Sequence, residues 1–231
     1  PEVYALNLAP ALTNTPVDVV LTGTVDDRNT GDSLVTAAQF RFQGGAWVDA
    51  VLDQTGATMT GLTATIPAAE VPAADGAYTV EVQGQDEWGN WSQAPASTDL
   101  LVDATAPDVP SVVLDPTSIN LAATIPASVR VTASLEDPLV NGVQSGVAGA
   151  EAFINVLSAP GEGFSLLPVD GQFNQAVEQA YVDIASTEFT ALGLADHQVL
   201  VVGLDAAGNW STVAGMATIT IYEETPPADT I

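Results

Sequence analysis

The chain has 231 residues, more than one domain of about 100 to 150 residues and fewer than three, so two domains are expected. Its 29 acidic and 3 basic residues (Arg28, Arg41 and Arg130, with no lysine) leave a formal net charge of −26. That excludes nucleic acid and repels an anionic lipid surface, because phosphates and anionic lipids are met by clustered Lys or Arg, and with no run of 18 apolar residues no direct membrane insertion is expected. With no cysteine, neither disulfides nor thiolate metal sites can hold the fold, and oxygen-ligated calcium is the cation such a composition leaves in view.

In chain order, Pro1-Glu2-Val3-Tyr4 lacks the basic start and apolar run of a signal peptide. Together with the Pro- and Glu-rich stretch Glu223 to Asp229, it reads as part of a longer protein. Pro16 to Asp27 alternates as a half-buried strand and ends in Asp26-Asp27. Ala77 to Gln83 predicts another strand, followed by the turn Asp86-Glu87-Trp88-Gly89-Asn90-Trp91-Ser92 and a strand over Thr98 to Val102. The connector Val102 to Pro110 holds two prolines, which remove donors and stiffen it; so short a connector implies domains arranged end to end.

The pattern then repeats. Pro126 to Asp137 aligns with Pro16 to Asp27 at an offset of 110 residues, and His197 to Ser211, with Asp205-Ala206-Ala207-Gly208-Asn209-Trp210-Ser211, aligns with the first turn at an offset of 119. The second copy therefore carries net insertions, expected around Asn141 to Gly149 and Gly161 to Gln179. Phe173 to Ala180 suits either a short helix or a loop. Thr218 to Tyr222 closes the copy as a strand. About seven short strands per hundred residues suit a β-sandwich.

The strand, the Asp-x-x-Gly-Asn-x-Ser turn, the terminal strand and the Asp-x-Thr-Ala-Pro connector resemble the bacterial immunoglobulin-like (Big-type) repeats of secreted adhesins and surface proteins. Gln43-Gly44-Gly45-Ala46-Trp47 and Ser145-Gly146-Val147-Ala148-Gly149 are similar to the third-strand region of that family. The resemblance implies an all-β chain of two tandem immunoglobulin-like β-sandwich domains, over residues 1–104 and 105–224, with 225–231 as a linker tail. It also implies calcium at the domain junction, held by Asp103, Glu136, Asp137, Asp205 and Asn209. Asp26, Asp27, Asp86 and Asn90 would form an equivalent half-site.

Each of these residues has a plainer reading. Asp and Asn bond local backbone and Gly supplies positive φ, so the Asp-x-x-Gly-Asn segment equally suits a tight turn with no metal. Trp91 and Trp210 read as packing residues, and an exposed ligand-binding aromatic would be Trp88 at the turn apex. His197, the single histidine, has no nucleophile motif beside it, so no enzymatic activity is expected. The expectation is a non-catalytic structural or adhesive pair of modules in a larger extracellular or cell-surface protein, whose partners are neighbouring domains of the same kind, other surface proteins or glycans. Two alternatives stand: a carbohydrate-binding or spacer region of a secreted hydrolase, and a subunit of a self-assembling surface fibre, which a mean hydropathy of +0.26 would favour.

Overall fold

A computed structural model describes residues 1–224, so the tail reading for 225–231 lies outside the described residues. The chain divides into two compact units, Pro1–Ala104 with Leu139–Val143, and Thr105–Pro138 with Gln144–Ile231.

Unit 1 contains β1 (Glu2–Ala9), β2 (Leu12–Thr13), β3 (Val19–Asp26), β4 (Val35–Phe42), β5 (Val48–Leu52), β6 (Met59–Ile66), β7 (Gly76–Asp86) and β8 (Ala96–Val102). They hydrogen-bond in the order β1-β3-β6-β5-β4-β7-β8-β2. β5 joins the two layers, pairing with β4 through Ala38 and Ala50 and with β6 through Val51 and Thr63. Side chains alternate across a strand with period two. Val19, Leu21 and Val25 of β3 therefore meet Val80 and Val82 of β7 in one core with Leu62, Ile66 and Leu100. Gly84 sits on that inward row, and a Cβ there would collide with the Val25 side chain.

Unit 2 holds β9 (Asp108–Asp115), β10 (Ser118–Asn120), β11 (Ser128–Glu136), β12 (Val147–Ile154), β13 (Phe164–Ser165), β14 (Leu167–Pro168), β15 (Val177–Ala185), α1 (Ser186–Thr190), β16 (Ala195–Asp205) and β17 (Gly215–Tyr222). A five-stranded sheet, β10-β17-β16-β12-β13, faces a four-stranded one, β14-β15-β11-β9. Val129, Val131 and Leu135 pack there against Val199, Val201 and Ile219, with Phe189 of α1 fully buried among them. Each unit is thus a β-sandwich. Val177 to Ala180 is strand, because pairing with β11 from Leu135–Glu178 to Ala133–Ala180 satisfies its backbone in extended form. The helix falls after it, at Ser186–Thr190.

Candidate metal centre

Strand alternation decides which acidic residues reach the interior. In β16 the inward row Val199, Val201, Gly203 ends on Asp205, which is 1% exposed. In β11 the inward row Val129, Val131, Ala133, Leu135 continues one step past the strand to Asp137, which is 2% exposed, whereas Glu136 falls on the outward row and is exposed. The carboxylate oxygens of Asp137 and Asp205 come within 4.8 Å of each other. Two anions so close and so dry repel strongly unless a proton or a cation lies between them.

Both carboxylates are held in place. Asp205 Oδ1 accepts from the Gly208 and Asn209 N–H groups at 2.7 and 2.8 Å, and Oδ2 accepts from Asn209 Nδ2 at 2.7 Å. Gly208 supplies a φ of +98°. Asp137 Oδ2 accepts from the Gly146 N–H, and its own N–H donates to Ala176 O at 2.7 Å. Asn209 therefore fastens Asp205 through its side-chain amide. Asp103, the residue after β8 in unit 1, is fully buried, and its N–H donates to Thr13 O at 2.9 Å.

The same construction recurs in unit 1. Val80, Val82 and Gly84 lead inward to Asp86, which accepts from the N–H groups of Trp88 and Asn90 and from Asn90 Nδ2. The Asn90 amide lowers the Asp86 pKa below the usual carboxylate range, although burial and the nearby Asp27 charge oppose it. Asp27 lies 2.9 Å from the Pro1 ammonium and accepts from Thr30 Oγ1 and from the N–H and Oγ of Ser33. Burial pushes its pKa up, but those hydrogen bonds together outweigh it and hold the group well below the usual range. Asp26 accepts two guanidinium bonds and the backbone N–H of Arg28, with the Tyr4 hydroxyl on Oδ2. Arg28 is the main reason its carboxyl lies far below the ordinary value. Of the four residues expected in the half-site, Asp26 is thus drawn to Arg28, Asn90 fastens Asp86, and Asp27 lies near enough to Asp86 for its charge to raise the Asp86 pKa.

His197 is buried, with Nε2 3.1 Å from Gly193 O and Nδ1 3.0 Å from Asn155 Nδ2, a pairing that makes Nε2 the donor. Trp88 is 78% exposed. Among the described residues no helix is long and apolar enough to cross a membrane.

No protein-family model matches the sequence, and neither does any curated protein. Among solved structures the chain is similar to a Ca²⁺-stabilized adhesin with which an Antarctic bacterium reaches out and binds ice, at 19% identity and a TM-score of 0.46, over 96% of this chain and 48% of that one. It is also similar to a 1.5-MDa bacterial ice-binding adhesin (17%, TM-score 0.48, 96% and 64%) and to the Yersinia pseudotuberculosis adhesin InvE (14%, TM-score 0.32, 94% and 58%). The chain spans about half of the first of these and under two thirds of the other two.

Proposed function

We propose that the chain is a non-catalytic, adhesive or structural pair of immunoglobulin-like domains, 1–104 and 105–224, of a larger extracellular or cell-surface protein. In this reading Asp103, Asp137 and Asp205 together hold a calcium ion. The observation that carries it is the buried approach of Asp137 to Asp205. Asp103 lies four residues before Pro107, whose carbonyl accepts from Ser211 Oγ at 2.6 Å. Four extended residues span at most about 14 Å, so the chain itself keeps Asp103 within reach of the loop that carries Asp205. An all-oxygen donor set of carboxylates, completed by backbone carbonyls, suits a hard cation taking about six to eight ligands. The ion would offset the mutual repulsion of the carboxylates.

Calcium titration of the purified chain, followed by thermal melting, tests this. Calcium is expected to raise Tm more than magnesium at equal ionic strength, by about 1.4 kcal/mol of stability at tenfold excess over Kd. Asp205→Ala and Asp86→Ala both remove a turn acceptor, but only Asp205→Ala should abolish the calcium increment. Equal increments from the two ions, or an increment that survives Asp205→Ala, would reduce Asp205 to a turn residue.

A further inference from the structure

Strand parity puts one more carboxylate of unit 2 on an inward row. Leu135 pairs with Glu178 and Glu136 with Val177, so Glu178 of β15 points the same way as Ala180 and Ile184, and it is 4% exposed. A carboxylate so dry is costly unless donors meet it. Glu178 Oε1 accepts from the N–H groups of Asn174 and Gln175, both at 2.9 Å, in the loop between β14 and β15.

That loop in turn holds the candidate centre. Ala176 O accepts the Asp137 N–H at 2.7 Å, and Gln175 O accepts the Val147 N–H at 2.9 Å. The neighbouring Gly146 donates its N–H to Asp137 Oδ2, and its carbonyl accepts from the N–H of Ala206, the residue after Asp205, at 2.9 Å. Ser145 Oγ accepts from the Ala207 N–H at 3.2 Å in the same turn. Ser145 to Val147 thus meets Asp137 on one side and the Asp205 turn on the other, while Asn174 to Ala176 fastens both that segment and the end of β11. Gly146 has a φ of +87°, and a Cβ on it would lie 3.4 Å from Gln175 O, so the two segments touch.

Unit 1 repeats the backbone part of this construction without the carboxylate. Asp26 pairs with Met59 as Glu136 pairs with Val177, so Thr60 stands in the place of Glu178. Thr58 O accepts the Asp27 N–H and Ala57 O accepts the Val35 N–H, both at 2.8 Å. Thr60 Oγ1, however, accepts from the Gln54 N–H at 3.0 Å. Where Asn174 donates to Glu178, its counterpart Gly56 donates to the Val35 carbonyl at 3.1 Å.

We propose that Glu178 is a positioning residue of the calcium centre: by fixing Asn174 to Ala176 it holds Asp137 and Asp205 close together in readiness for the ion. The inference rests on the calcium reading and adds a residue that acts from behind the ligands. With the loop loose, mutual repulsion would drive the two carboxylates apart in the ion-free chain, and binding would have to restore their approach. Groups that orient metal ligands in this way typically change affinity by about 10- to 100-fold.

The test is calorimetric titration of the whole chain with calcium chloride, joined to melting curves with and without calcium. Glu178→Thr, which installs the side chain found at that place in unit 1, should weaken calcium binding about tenfold. Glu178→Gln keeps an oxygen acceptor of the same reach and should weaken it less. Glu178→Thr should also lower Tm more with calcium than without, whereas a role confined to the fold would lower both equally. In the parent, calcium should slow hydrogen exchange at the Asn174, Gln175 and Val147 amides but not at Val35, the counterpart of Val147 in unit 1. Should Glu178→Thr fail to fold, this exchange pattern decides. Unchanged calcium affinity in Glu178→Thr, an equal loss in Glu178→Gln, or exchange unaffected at those three amides would overturn the proposal. Calcium binding that Asp205→Ala abolishes and Glu178→Thr leaves intact refutes the positioning role alone; a parent without calcium-specific binding refutes the calcium reading and this inference with it.

Discussion

At the scale of single residues, several carboxylates are held ionised by the fold: Asp26, Asp27, Glu81, Asp86 and Asp183 all have pKa values below the ordinary range. A depressed folded-state pKa adds stability that is fully present above the unfolded value, about 4, and is lost as pH falls through the folded value. Melting temperature should therefore decline as pH drops below about 4. Asp27→Asn should have a lower Tm at neutral pH and a shallower acid slope; a slope identical to that of the parent would show that Asp27 contributes nothing differential. The Arg130–Asp183 pair is a different case, because both side chains are about half exposed (53% and 42%). Solvent screening limits such a pair to under about 1 kcal/mol, so Arg130→Ala should shift chemical denaturation only slightly, even counting its contact with the Tyr181 ring at 4.6 Å.

At the scale of elements, the lateral margins of the sandwiches are occupied by strands that change sheet. In unit 2, β13 pairs with β12 and, two residues later, β14 pairs with β15. β1 pairs with β3 and β2 with β8, and likewise β9 with β11 and β10 with β17. Ala5, with a φ of +53°, interrupts the β1 ladder, and Pro110 removes a donor from β9. Short, bulged or proline-bearing edges resist pairing with another chain, which weighs against fibre growth by strand addition. Gly215 makes the sharper prediction: Gly215→Ala forces its methyl into Val109 and Val112 and should cost about 1–3 kcal/mol by denaturant titration. In the core, Phe189→Ala should cost about 3–5 kcal/mol, since the ring is fully buried.

Over the whole molecule, a charge of −26 on 231 residues sets a strong self-repulsion that salt screens over a Debye length of about 8 Å at physiological ionic strength. Sodium chloride should therefore raise Tm between low and physiological salt without the specificity expected of calcium. A Tm independent of sodium chloride over that range would show that repulsion is not limiting stability. Electrophoretic mobility of duplex DNA should be unchanged by the chain even at low salt, since each arginine is already paired.

The β-sandwich architecture was legible because Val-rich alternation and the two Asp-x-x-Gly-Asn turns are local patterns that report backbone geometry directly. The same alternation, counted on from Val129 and Val199, places Asp137 and Asp205 inward and Glu136 outward, so part of the candidate site was also written in the strand parity. Two things were not. Asp26 follows Arg28 and Tyr4 although it neighbours Asp27, because a bidentate guanidinium two residues away offers it more than the interior does. The close approach of β9 to β17 brings Val109 and Val112 against Gly215, residues about a hundred positions apart, and no local pattern announces it. Local sequence determines which way each side chain points along its strand; only packing of distant strands decides which of those side chains meet.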